Sequence, residues 1–167
     1  MNIDQLRLAP SAKKAAIYLK ERHPYIIFTS GRRDIMEQAH AMACNVVTDP
    51  KWIYRTYVRG APLQTAIDRY RLQARPWTVN AIEDVLLQAM NALSDDELRG
   101  LSRHFTGDAF DIKPILDNTL QPLPEGHAVL DTIRAMMKDP STDMEKFLSK
   151  EGDLIRWHCQ FFPSIEV

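Results

Sequence analysis

Apolar residues recur every three or four positions in five stretches of the chain, which predicts amphipathic helices. These stretches are residues 11–22, 33–47, 61–72, 78–93 and 124–137. Ser11 and Thr78 stand at the starts of two of them, where a hydroxyl can cap the helix. Ser94 and Glu97 have the spacing of a capping box, so we expect a further short helix to begin there.

Three other stretches are short, apolar and rich in β-branched or aromatic residues, which predicts strands. They are residues 25–29, 109–112 and 154–162. The predicted strands and helices do not alternate regularly, so the pattern indicates an α+β fold rather than a doubly wound sheet. A chain of 167 residues is long enough for one domain and leaves little room for a second. We therefore expect a single α+β domain over residues 1–167.

The composition, with 45% hydrophobic and 26% charged residues, is that of an ordinary soluble globular protein. A formal net charge of -1 gives no general attraction to nucleic acid or to an anionic membrane. The first 24 residues contain no apolar run long enough for a signal peptide or a membrane span, so we expect synthesis in the cytoplasm and no membrane insertion. Cys44 and Cys159 belong to no CxxC pair and are expected to be two buried free thiols.

Residues 102–111 contain two of the three candidate metal ligands. Here His104 and Asp111 flank Gly107 at the entry to a predicted strand, and His158 stands on the last predicted strand. One aspartate and two histidines suit zinc and leave a fourth position for water, whose pKa the ion lowers toward ~7. Gly107 fits a turn that needs a positive φ. The same residues also fit a surface turn with an ordinary hydrogen-bonded His–Asp pair, so spacing alone leaves both interpretations open.

The string SRHFTGDAFD at residues 102–111 matches every fixed position of the SxHxxGxAxD signature of a zinc peptidase family. That family includes D-alanyl-D-alanine carboxypeptidases, D-Ala-D-Ala dipeptidases and phage L-alanoyl-D-glutamate endopeptidases. Residues 29–33 followed by Gln38 resemble the family's SGYR segment and its glutamine, with Arg32 in place of the tyrosine. Trp157 and His158 resemble the end of its ExWH segment. The chain thus resembles this family from residue 29 to residue 158.

The resemblance implies a hedgehog-like or D-Ala-D-Ala peptidase-like domain, in which helices pack around a small antiparallel sheet. It implies that His104, Asp111 and His158 bind Zn²⁺, and that Arg33 stabilises the developing oxyanion or holds a substrate carboxylate. The implied substrate is the peptidoglycan stem peptide. The implied protein is an endolysin-like, monomeric peptidase that acts at the cell wall, after release from the cell or as part of a virion.

One position departs from the family pattern. The glutamate that serves the family as general base is replaced by Ile155, which cannot move a proton. Asp153 is the nearest substitute, since on an extended strand it points the same way as position 155, about 6.6 Å away. Glu151 has the same orientation but lies further out, and Asp108 or Glu83 would have to reach the site from elsewhere.

Three functions therefore stay open at this point. The first is a peptidoglycan peptidase with a substitute base. The second is a catalytically silent zinc-containing module that binds wall peptides or serves structurally in a virion. The third is a dipeptidase that acts on free D-Ala-D-Ala.

Overall fold

The computed structural model describes residues 1–151 and 154–163. Over this part of the chain it contains seven α-helices and a four-stranded antiparallel sheet, so the predicted α+β class is confirmed. The helices are α1 (Pro10–Arg22), α2 (Ile35–Val46), α3 (Trp52–Thr56), α4 (Ala61–Arg71), α5 (Val79–Asn91), α6 (Asp95–Leu101) and α7 (Pro124–Lys138). The strands are β1 (Phe28–Ser30), β2 (Ala109–Ile112), β3 (Met144–Glu151) and β4 (Leu154–Phe161). No helix in the described ranges combines the length and the apolar character that crossing a membrane requires.

The chain divides into two compact units. The first unit comprises Met1–Arg32 and Thr106–Val167, and the second comprises Arg33–Phe105. The first unit contains the sheet, with the strand order β1-β2-β4-β3 and every neighbouring pair antiparallel. That the whole chain forms one domain stays a prediction.

The two faces of the sheet in the first unit have different chemistry. One face is apolar and packs with buried residues of α1 and α7. Its buried strand residues are Phe28, Phe110, Ile112, Trp157, Cys159 and Phe161. Because side chains alternate along a strand, Asp111 and His158 project from the opposite face. The fold therefore separates the polar pair from the apolar core by the thickness of one sheet.

The second unit is built from α2 to α6 around its own apolar core. The core residues are Ala39, Met42, Ala43, Val46, Trp52, Ile53, Leu63, Ile67, Ile82, Leu86, Met90, Leu98 and Leu101. Asp34 and Glu37 form a capping box at the start of α2. The predicted caps at Thr78 and Ser94 are confirmed, since their hydroxyls accept hydrogen bonds from backbone N–H groups in the first turns of α5 and α6.

Two local predictions are wrong. Ser11 does not cap α1, because the helix begins one residue earlier at Pro10, whose fixed φ suits the first helical position. The Ser11 hydroxyl instead donates to Asp143 Oδ2 over 2.7 Å. Of the two cysteines, Cys159 is buried but Cys44 is exposed. Cys44 lies outside the apolar stripe that α2 turns toward the core of the second unit.

Candidate metal centre

The pairing of β2 with β4 places Asp111 directly opposite His158. His158 Nδ1 lies 2.8 Å from Asp111 Oδ1, a hydrogen bond in which the imidazole donates to the carboxylate. Both side chains are buried. A buried carboxylate is costly unless a partner compensates its charge, so this contact holds both groups in defined orientations.

His104 lies in the 3-10 turn Arg103–Phe105, which follows α6 and leads toward β2. Its backbone N–H donates to Ser102 Oγ over 3.3 Å. Its carbonyl accepts from the backbone N–H of Arg33 over 3.0 Å. These two contacts hold the backbone of His104, whose side chain is buried.

Gly107 connects this turn to β2 in the left-handed conformation, with φ of 80°. The predicted positive φ is confirmed. Its carbonyl accepts from the backbone N–H of Ala9 over 3.1 Å. Because an L side chain rarely adopts such a φ, this turn depends on glycine.

The side chains of His104, Asp111 and His158 form a buried group that can hold a metal ion. Each offers one ligand atom, and these atoms all lie within 4.8 Å of one another. At bond lengths of about 2.0–2.1 Å, ligand atoms on a tetrahedral zinc ion are about 3.4 Å apart, a spacing that small side-chain rotations can reach. Two neutral imidazoles and one carboxylate would leave a divalent ion with a net positive charge. The donor set thus fits a metal ion of the zinc type.

Arg156 also faces this group, a contact that the sequence analysis missed. Its Nη1 lies 3.7 Å from Asp111 Oδ2, and its side chain is 29% exposed. Arg156 stands two residues before His158, and alternate residues on a strand share a face. That spacing was the signal that could have identified it.

Arg33 directly precedes the N-cap of α2. Its guanidinium donates to Gln38 Oε1 over 3.1 Å, and Gln38 Nε2 donates to the Tyr57 hydroxyl over 3.0 Å. The arginine and glutamine that resemble the family's SGYR segment are therefore in contact within the second unit. The backbone N–H of Arg33 also reaches the ligand residue His104, while its role toward a substrate stays a prediction.

The candidates for the general base are in different situations. Asp153 lies outside the described residues, and for Glu151 the structure describes only the backbone, at the end of β3. Asp108 is buried immediately before β2. Glu83 lies on α5 and binds His40 Nδ1 over 2.7 Å. The identity of the base stays a prediction.

Comparisons with known proteins found no match: no family model, no curated protein and no solved structure matches this chain. The resemblance to zinc peptidases therefore rests on the motif residues themselves, and membership of that family stays a prediction.

Proposed function

We propose that this chain is a zinc-dependent peptidase that hydrolyses an amide bond in the peptidoglycan stem peptide. The observation that carries the proposal is the buried His104–Asp111–His158 group, whose ligand atoms lie within 4.8 Å of one another. The match of residues 102–111 to the SxHxxGxAxD signature supports the choice of reaction and substrate.

His104, Asp111 and His158 would hold the zinc ion. When bound, zinc supplies a Lewis acid that polarises a carbonyl and lowers the pKa of water to about 7. Asp111 balances part of the ion's charge, and its hydrogen bond to His158 keeps the ligand side chains close together before the ion binds. Such preorganisation reduces the entropy lost when the ligands take their final geometry.

Arg156 would bind negative charge on the substrate. A guanidinium presents parallel N–H donors that match a carboxylate or a developing oxyanion. Arg156 lies beside Asp111 and is partly exposed, so it can contact solvent and substrate from the face of β4 that carries His158. Arg33 is the second candidate for this role, on the basis of the family resemblance.

A catalytically silent, zinc-containing wall-binding or virion module is the alternative with a specific observation in its favour. Ile155 occupies the base position of the family and lines, together with Trp157, a groove in the first unit. For either function we propose that the protein acts as a monomer at the cell wall, after release from the cell or within a virion. That setting, and the stem peptide as partner, rest on the resemblance.

The test is to incubate the zinc-loaded protein with peptidoglycan sacculi and identify released fragments by mass spectrometry. The matched control is Asp111→Asn, which keeps the size of the side chain and removes its charge. We expect new peptides from the wild type and none from the variant. Free D-Ala-D-Ala is tested in parallel.

Other outcomes separate the alternatives. Cleavage of free D-Ala-D-Ala without release from sacculi would replace the proposal with a dipeptidase. Stoichiometric zinc and co-sedimentation with sacculi, but no cleavage, would replace it with the silent module. A wild type that binds no zinc in equilibrium dialysis would overturn the metal centre itself.

A further inference from the structure

A second cluster of reactive side chains lies in the second unit and shares no residue with the metal centre. His40 and Cys44 are four residues apart on α2, so both lie on the same side of the helix. Glu83 reaches them from α5. His40 Nδ1 lies 2.7 Å from Glu83 Oε2, and His40 Nε2 lies 3.6 Å from Cys44 Sγ.

The imidazole bridges the carboxylate and the thiol through its two nitrogens. With the ring proton on Nδ1 donated to Glu83, Nε2 is left as an acceptor that faces the sulfur. The two nitrogens point to different sides of the ring, so the three side chains form a relay rather than a converging set of metal ligands. A carboxylate that orients an imidazole, which in turn faces a thiol, is the arrangement that activates a cysteine nucleophile.

The thiol is accessible to a reactant. Cys44 is exposed, the His40 side chain is 59% exposed and the Glu83 side chain is 25% exposed. The opposite side of α2 is fixed in the core of the second unit by Ala39, Met42, Ala43 and Val46. The backbone of α2 is thus anchored in the core, while the Cys44 and His40 side chains are exposed to solvent.

We propose that Cys44 is a nucleophilic thiol that exchanges with low-molecular-weight disulfides of the glutathione type. The thiol proton passes to His40 Nε2 while Cys44 Sγ attacks one sulfur of the disulfide. A new S–S bond forms to Cys44, the original S–S bond breaks, and the departing thiolate takes the proton from His40. One thiol and one disulfide give one mixed disulfide and one thiol, so no further oxidant or reductant is needed. Glu83 stabilises the transient imidazolium.

The experiment uses the full chain and the aromatic disulfide 5,5'-dithiobis(2-nitrobenzoate) at pH 7, with the reaction followed by absorbance. Cys159 is fully buried and serves as the internal unreactive thiol. We expect one thiol to react at least about tenfold faster than the thiols of the urea-unfolded chain, and Cys44→Ser to remove that fast phase. Oxidised glutathione should then add one glutathione mass, located on Cys44 by peptide mapping.

Two variants separate activation from exposure. His40→Gln should lower the rate about tenfold or more, and Glu83→Gln should lower it less, with the circular dichroism spectra unchanged. As a matched control, Thr65→Cys in the Cys44→Ser background places a thiol on an exposed position of α4, a helix without histidine. That thiol should react no faster than an unfolded one.

The proposal is overturned if folded Cys44 reacts no faster than the Thr65→Cys thiol, or if His40→Gln leaves the rate unchanged. If His40→Gln does not fold, Glu83→Gln provides the test. A Cys44 reaction rate in Glu83→Gln equal to that of the wild type would show that the Glu83–His40–Cys44 relay does not activate the thiol. None of these measurements depends on zinc or on peptidase activity.

Discussion

Replacing Gly107 by alanine tests whether the turn between His104 and Asp111 requires glycine. At φ of 80°, an added Cβ would lie 2.9 Å from the Arg7 carbonyl oxygen and 3.0 Å from the Ala9 nitrogen. Both neighbours are backbone atoms, so neither can move away without shifting the segment before α1. A left-handed L residue costs roughly 1–2 kcal/mol. Relief of the close contacts costs roughly another 1–2 kcal/mol, at the lower end of overpacking effects.

The expected loss of unfolding free energy is therefore about 2–4 kcal/mol. For a chain of this size, about 2–4 °C of Tm corresponds to each kcal/mol, so the Tm should fall by about 4–16 °C. The measurement is thermal unfolding followed by circular dichroism, with both proteins in the same chelator-containing buffer. The chelator keeps differences in bound metal from contributing to the Tm.

Gly100→Ala is the matched control because it adds the same methyl group at a helical position, where no positive φ is required. Gly100 lies within α6, and the nearest atom to its added Cβ is Nη1, at the far end of the long Arg59 side chain. Alanine is favoured over glycine inside a helix by about 1 kcal/mol, so we expect no loss or a small gain in Tm. A Gly107→Ala Tm within about 1 °C of wild type, or equal losses in both variants, would refute the argument from the turn.

Three further predictions follow from individual contacts. Zinc at 100 times its Kd should stabilise the protein by about 2.7 kcal/mol, a rise in Tm of about 5–11 °C in differential scanning fluorimetry. Asp111→Asn should abolish the rise, and a wild type without it would contradict the metal centre. Burial, and secondarily the charge of Arg22, lowers the pKa of His23 from its usual value of 6.5. The folded state therefore disfavours protonation of His23. Its contribution to the unfolding free energy is present above pH 6.5 and is lost as the pH falls below that value. In urea unfolding between pH 7.5 and 5, the unfolding free energy of His23→Gln should depend less on pH than that of the wild type. An identical pH dependence in both proteins would contradict the lowered pKa of His23. Arg156→Gln should retain zinc but lower kcat/KM for peptide release about 100-fold, whereas unchanged turnover would show that Arg156 does not contact the reacting substrate.

The elements that the sequence predicts best are those whose signal is local. Helix α5 has both a regular apolar stripe and a capping threonine, and its predicted start agrees with the structure. Strand β3, by contrast, was not predicted, because its sequence MEKFLSKE alternates few apolar residues with charges. Within the described residues it is an edge strand paired with β4, and such strands often carry charged side chains. Its stability comes from a partner strand, which a search for local periodicity does not detect.

The same distinction applies to the reactive groups. His104 and Asp111 could be predicted because they belong to one short motif, and His158 because it follows a tryptophan in a recognisable segment. The contact between His40 and Glu83 spans 43 positions of sequence and exists because α2 packs against α5. Sequence spacing contains no signal for that packing, so the cluster around Cys44 becomes visible only in the structure.

Position 155 bears on the missing general base. Ile155 and Trp157 line the same groove, and Trp157 belongs to the apolar core of the first unit. His158 projects from the other face of β4, opposite Asp111. A side chain at position 155 is therefore directed away from the ligand group, and isoleucine suits that apolar groove. It follows that the side-chain orientation at position 155 does not by itself place a carboxylate near the ligands, and the candidates Asp153 and Glu151 stay predictions. Under the proposed peptidase function, the groove face of β4 is therefore not a favoured source of the proton acceptor, and Ile155 on that face also suits the proposed silent module.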